Sequence, residues 1–138
     1  MSVLYTANAK AFGGRAGTAK SDDGNLEVTL TMPKALGGDG APGTNPEQLF
    51  AAGYAACFLS ALKFIAGQAK VKLPEDTTVS AKVGIGPRDG GFEIHPEISV
   101  SIPGLDREVG EDLVAKAHQV CPYSHALRTT KEVSAVLA

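Results

Sequence analysis

The stretch Thr44-Asn45-Pro46-Glu47-Gln48-Leu49-Phe50-Ala51-Ala52-Gly53-Tyr54-Ala55-Ala56-Cys57-Phe58-Leu59-Ser60-Ala61-Leu62 decides how this chain folds. Its opening, Thr44-Asn45-Pro46-Glu47, holds the spacing of a capping box and the Asn-then-Pro order of a helix start. A side-chain oxygen there accepts an orphaned backbone N–H, and the N–H that proline lacks is not needed at the first helical position. From Leu49 to Leu62 no residue is charged, which surface helices rarely manage. The pattern predicts a helix from Thr44 to about Lys70, buried nearly all round. Its apolar run is too short for a membrane span, so it is expected to be a central helix wrapped by sheet, with a second subunit as further cover.

Working outward, Val3 to Gly13 alternates as a first strand before Gly13-Gly14 breaks it. Residues 15–21 and 25–32 then flank Asp22-Asp23-Gly24-Asn25 as a hairpin. Its second arm, Leu26 to Met32, alternates with one buried face. Pro33 to Gly43 reads as a Gly-rich loop. Beyond the helix, residues 77–86 and 92–102 form a second hairpin around Arg88-Asp89-Gly90-Gly91, with Pro96 pointing to an edge or a bulge. Asp106 caps a helix to about Val120, whose apolar positions Val109, Leu113, Val114, Ala117 and Val120 recur at helical spacing. Cys121-Pro122 interrupts it, and a helical turn after Ser124 and a last strand, Glu132 to Leu137, complete an α+β fold. No repeat or linker divides residues 1–138, so a single domain is expected.

Composition narrows the function classes. Hydrophobic residues make up 43% of the 138 positions, enough for an ordinary core, and the formal net charge is -2. The 13 Lys and Arg residues are scattered singly, which disfavours nucleic acid and anionic membrane as partners. The start, MSVLYTANAK, lacks the basic and apolar regions of a signal peptide, and no run approaches a membrane span, so the cytoplasm is the default. Two cysteines are too few for a secreted disulfide scaffold. In a reducing compartment such a pair is more often catalytic, redox-active or metal-binding than structural.

Cys57 lies mid-helix among small residues, where a free cysteine by itself reads as a small packed hydrophobe. Cys121 precedes a proline at a helix break, where a kink presents a side chain to a cavity. A disulfide between them requires Cα atoms within about 7 Å. A reactive thiol needs a nearby positive charge or a helix N-terminus. Arg15, flanked by small residues in Gly13-Gly14-Arg15-Ala16-Gly17, is a candidate, and Glu47 is placed either to grip its guanidinium in a two-pronged pair or to complete the capping box. The spacing His118-x2-Cys121-x3-His125 admits a zinc reading. Only three ligands are close in sequence, however, and Pro122 breaks the helix that would align them, so neither metal nor cofactor is expected. No P-loop, Rossmann glycine pattern or Gly-x-Ser-x-Gly elbow is present.

Gly13-Gly14-Arg15-Ala16-Gly17 with Ser21-Asp22-Asp23-Gly24, the long run from Thr44 to Phe58, and Cys121-Pro122-Tyr123-Ser124 together resemble the organic hydroperoxide resistance proteins of the OsmC/Ohr family. The resemblance runs along essentially the whole chain. It implies an intertwined α+β homodimer with antiparallel sheets wrapped around a long central buried helix. It further implies that Cys57 attacks the peroxide, Cys121 resolves it, and Arg15 and Glu47 complete the site. A lipoyl dithiol such as dihydrolipoamide is the implied reductant. Glu47 and Cys57, ten residues apart on one regular helix, would lie roughly 15 Å apart along its axis and point about 80° apart. Glu47, and Arg15 with it, are therefore expected to reach Cys57 from the partner subunit.

The implied chemistry is reduction of organic hydroperoxides through a Cys57 sulfenic acid and a Cys57–Cys121 disulfide. Apolar Phe50, Phe58 and Leu62 would bind alkyl, aryl or fatty-acid hydroperoxides in preference to hydrogen peroxide. Two alternatives stay open: an OsmC-type relative with another substrate range, and a non-enzymatic redox sensor or apolar-ligand carrier.

Overall fold

The computed structural model describes residues 2–129 and 133–138. They form two compact units, residues 1–50 and 51–138. In the first, strands β1 (Ala9–Phe12), β2 (Thr18–Ser21) and β3 (Glu27–Thr29) make an antiparallel sheet in the order β1-β2-β3. The β2–β3 turn is built by Asp23, whose carboxylate accepts from the Ser21 hydroxyl at 2.6 Å and the Asn25 backbone N–H at 2.9 Å. Gly24 takes the left-handed conformation there, with φ 75°.

The expected first strand from Val3 shortens to Ala9–Phe12. The reason is register: Ala9 pairs with Ser21 and the Asp22 N–H with the Asn8 carbonyl, after which the turn carries the chain away. Val3, Leu4 and Tyr5 are left highly exposed. The arm expected over 26–32 also shortens. Past Thr29 it pairs with the residue before the long helix, Leu30 bridging Thr44 in parallel, and Thr31 and Thr44 exchanging backbone bonds with Thr44 and Thr29. Leu30 is the buried apolar residue of this unit. The Gly-rich loop holds a short 3-10 turn, Lys34–Leu36.

Helix α1 (Pro46–Gln68) begins at the end of the first unit and continues through the second. Its cap departs from the expected Thr44–Glu47 box. Pro46 occupies the first helical position, so Asn45 becomes the cap and its Oδ1 accepts the Gln48 N–H at 2.9 Å. Thr44 donates instead to the Gln48 side chain, and Glu47 is released for another partner. At the other end Lys70 has φ 56° while the Val71 N–H bonds to the Ala66 carbonyl, the six-to-one closure of a Schellman turn. A lysine in this left-handed position costs about 1 kcal/mol that glycine does not. Lys70→Gly is therefore expected to raise the melting temperature by a few degrees, read by calorimetry, with no change in chemistry.

Within one chain the expected burial nearly all round is limited to one stripe of α1: Tyr54, Phe58, Ala61, Leu62, Ile65 and Ala66. Ala52, Ala56 and Phe64 on other faces stay open, Phe64 at 58%. Contrary to the sequence expectation, the helix is long and apolar enough to cross a membrane, with a mean hydropathy of 1.7 over its best window. The core helix of a soluble protein meets the same test, and Lys63 sits inside this one.

In the second unit, β4 (Thr78–Arg88) and β5 (Gly91–Ser101) pair antiparallel without a break, from Thr78 opposite Ser101 to Arg88 opposite Gly91. The two-residue connection Asp89-Gly90 places Gly90 at φ 79°. Pro96 sits opposite Val83 in continuous register, so the anticipated bulge is absent. In a two-stranded sheet its missing N–H can face outward. Helix α2 (Arg107–Val120) starts at Asp106, whose Oδ1 accepts the Val109 N–H. Leu113 and Ala117 on α2 are buried, as are Cys121 and Ser124.

Helix α3 (Pro122–Arg128) begins two residues before the turn expected after Ser124, because proline suits a first helical position. The expected final strand differs as well. Glu132 lies outside the described residues, and residues 133–138 form no strand, with Val133, Val136 and Leu137 highly exposed.

Candidate active site

Arg15 sits in a single 3-10 turn, Gly14–Ala16, between β1 and β2. Gly13 and Gly14 both have positive φ, 73° and 59°. At Gly17 a Cβ would lie 1.9 Å from the Phe12 carbonyl oxygen, so only glycine lets the two strands close beneath the turn. The turn delivers Arg15 to Glu47, released from capping duty on the first turn of α1. Arg15 Nη1 donates to Glu47 Oε2 at 2.7 Å and Nη2 to Oε1 at 2.6 Å, a two-pronged, partly buried pair. The hydrogen bond from Arg15 holds the Glu47 carboxyl below its ordinary range, and the same bond raises the arginine. Glu47 thus carries full negative charge near neutral pH and holds the guanidinium by both of its oxygens.

The thiols belong to the second unit. Cys57, on α1, and Cys121, at the junction of α2 and α3, are both reduced, with their sulfurs 3.9 Å apart. A disulfide bond is about 2.05 Å long, so the sulfurs are in contact but would have to approach further to bond. Cys121 is fully buried, whereas Cys57 is partly open. Burial pushes the Cys57 thiol up, opposed by the Tyr123 backbone N–H, which points at its sulfur, and reinforced by Cys121. Burial thus disfavours the Cys57 thiolate.

Tyr54, Tyr123 and Ser124, none of them given a role from sequence, and His118, read there only as a candidate zinc ligand, form a linked group in the same unit. The Tyr54 hydroxyl lies 2.7 Å from Ser124 Oγ, and the same oxygen lies 2.9 Å from His118 Nδ1. The Tyr54 and Tyr123 rings stack at 5.7 Å. Gly53 makes room for this stack, since a Cβ there would meet the Tyr123 hydroxyl at 2.6 Å. The signal in the sequence was the Tyr and Ser of Cys121-Pro122-Tyr123-Ser124, legible as a motif without a stated task. His118 uses its Nδ1 on Ser124. Among the described residues no group of three or more His, Cys, Asp or Glu could hold a metal.

Of the three apolar residues singled out for substrate, Phe58 and Leu62 are fully buried in the second unit, and Phe50 is half-buried in the first. Phe58 lines a cavity of about 780 Å³ whose wall mixes Ile98, Val100 and Val114 with Asp106, Arg107 and Glu111, and neither cysteine is part of that lining. Leu62 does not reach that cavity and packs in the core.

Residues 37–135 match the family model described as OsmC-like protein. The chain is 54% identical over 136 residues to an organic hydroperoxide resistance protein of Xanthomonas axonopodis pv. citri, covering 99% of this chain and 96% of that one. It is 44% identical over 131 residues to organic hydroperoxide resistance protein OhrB of Bacillus subtilis, covering 95% and 96%. Among solved structures, an organic hydroperoxide resistance protein from Elizabethkingia anophelis superimposes with a TM-score of 0.87 at 53% identity, covering 93% and 91%. The Bacillus subtilis OhrB structure gives 0.82 at 45%, covering 91% and 93%.

Proposed function

The chain belongs to the OsmC-like family, and from that premise we propose that it serves hydroperoxide resistance as a thiol-dependent peroxidase that reduces organic hydroperoxides to alcohols. The observation that carries this reading is the pair of reduced sulfurs 3.9 Å apart, one partly open and the other fully buried. The open thiol, Cys57, attacks the terminal oxygen of ROOH as a thiolate. The O–O bond breaks, RO⁻ takes a proton to leave as ROH, and Cys57 becomes a sulfenic acid. Cys121 then attacks that sulfur, expelling water and closing the disulfide, which an external dithiol reduces by exchange. The buried position of Cys121 suits a thiol that meets its partner and not the solvent.

Arg15, oriented by Glu47, is assigned the part of the cation that favours the thiolate. Helix arithmetic separates Glu47 from Cys57 of the same chain, so the site is proposed to form across two subunits. An open apolar face on α1 and exposed apolar residues near both ends of the chain support a homodimer. The cytoplasm is the proposed location, since two cysteines are too few for a secreted disulfide scaffold. A lipoyl dithiol is the proposed reductant, and alkyl or aryl hydroperoxides are the proposed substrates, in line with the organic hydroperoxide resistance proteins this chain resembles.

The test is hydroperoxide consumption by purified protein with dihydrolipoamide as the sole reductant. Turnover with cumene hydroperoxide at least about tenfold more efficient than with hydrogen peroxide is expected, since a buried aryl group adds a few kcal/mol of binding. Equal efficiency would remove the substrate assignment. No turnover from folded, reduced protein would favour a sensor or carrier.

A further inference from the structure

The first turn of α3 carries much of the thiol geometry, yet it is a short helix beginning at a proline. Cys121 is its cap, Tyr123 its second residue and Ser124 its third. Arg128, at its far end, holds it to α2 by donating to the carbonyls of His118 at 2.8 Å and Gln119 at 2.7 Å. That grip ties α3 to α2 and leaves its distance from α1, where Cys57 sits, to be set by something else.

Ser124 is 1% exposed, and its hydroxyl is engaged from both sides, by Tyr54 of α1 and His118 of α2. A hydroxyl has one proton to give and two lone pairs, so Ser124 either accepts from one neighbour and donates to the other or accepts from both. In every arrangement one buried oxygen joins all three helices. The Tyr54–Tyr123 stack and the close approach at Gly53 bring α1 and α3 together, but ring packing alone leaves sliding free. Directional bonds restrict it.

Resting on the peroxidase reading, we propose that Ser124 is a positioning residue: by bridging Tyr54 and His118 it keeps the sulfurs of Cys57 and Cys121 in contact. The same bridge keeps the Tyr123 N–H aimed at the Cys57 sulfur. Ser124 touches neither peroxide nor sulfur in this role. It acts by holding α3 against α1.

The test uses the full-length reduced protein and no hydroperoxide, so a chain that never turned over would give the same readings. The first reading is the pH profile of Cys57 alkylation by iodoacetamide. The second is the Cys57–Cys121 disulfide equilibrium against a glutathione buffer. Ser124→Ala is expected to lower the effective concentration of the thiol pair about tenfold and to move the alkylation midpoint to higher pH. Tyr54→Phe keeps the stacked ring and removes one arm of the bridge, and it should shift both readings in the same direction by a smaller factor. His118→Asn, whose side-chain amide can reach the place of Nδ1, should lie nearer wild type than His118→Ala. If Ser124→Ala fails to fold, Tyr54→Phe decides. Wild-type values of both readings in the folded variants would overturn the proposal.

Discussion

Cys57→Ser is expected to lose hydroperoxide turnover by on the order of 10³ or more, while Cys121→Ser completes one oxidation per chain and then stops. The first result follows from nucleophilicity. A serine hydroxyl at this position is not ionised near neutral pH, and the neighbouring N–H of Tyr123 supplies no base to activate it. The second follows from geometry. With sulfur replaced at position 121, the sulfenic acid formed at Cys57 has no thiol 3.9 Å away to condense with. Further peroxide then carries it to sulfinic acid. Stopped-flow mixing with stoichiometric cumene hydroperoxide, followed by mass spectrometry of the trapped sulfenic acid, distinguishes the two variants. Sustained dithiol-driven turnover by Cys121→Ser would show that this cysteine is not the resolving thiol.

Arg15→Ala is expected to lower turnover by on the order of 10², because removing one preorganised electrostatic partner of a reacting anion costs that much. The reason for so large an effect lies at Cys57, whose burial pushes its thiol up within its own unit. Arg15→Lys should recover only part of the loss. An ammonium keeps the charge, but it lacks the fork that both Glu47 oxygens grip at 2.7 and 2.6 Å. Subunit mixing separates a shared site from a self-contained one. When Arg15→Ala and Cys57→Ser chains are co-expressed, random pairing under two-fold symmetry restores about one intact site in four if the site crosses subunits. A self-contained site regains nothing. Differently tagged chains show whether mixed dimers formed, so absence of recovery in tagged heterodimers would place Arg15 beside the thiol of its own chain.

Local patterns carried much of the architecture. Helix α1, the two hairpins and the α2 helix are where periodicity and turn chemistry put them, since hydrophobic spacing and Asp-Gly or Asn-Pro signals act over a few residues. The errors cluster where the competitor for a residue came from elsewhere in the chain. Glu47 had the spacing for a capping box. Pro46 moved the cap to Asn45, and Arg15, 32 positions earlier, took the carboxylate. The first strand began only at Ala9 because its neighbour turned away at Asp22, which no property of Val3 to Asn8 could announce.

By itself, then, the sequence determined the α+β class, the helix that carries Cys57, and the cysteine, arginine and glutamate from which a site would be built. Residue type and short-range spacing suffice for the class and the helix, and the resemblance to the OsmC/Ohr family singled out the site residues. Only tertiary structure decided that the two sulfurs lie 3.9 Å apart, that Glu47 grips Arg15 instead of capping its helix, and that Ser124 joins Tyr54 to His118. Each of those depends on distances between residues far apart in the chain. Such distances are set by how whole elements pack, and not by the identity of either partner.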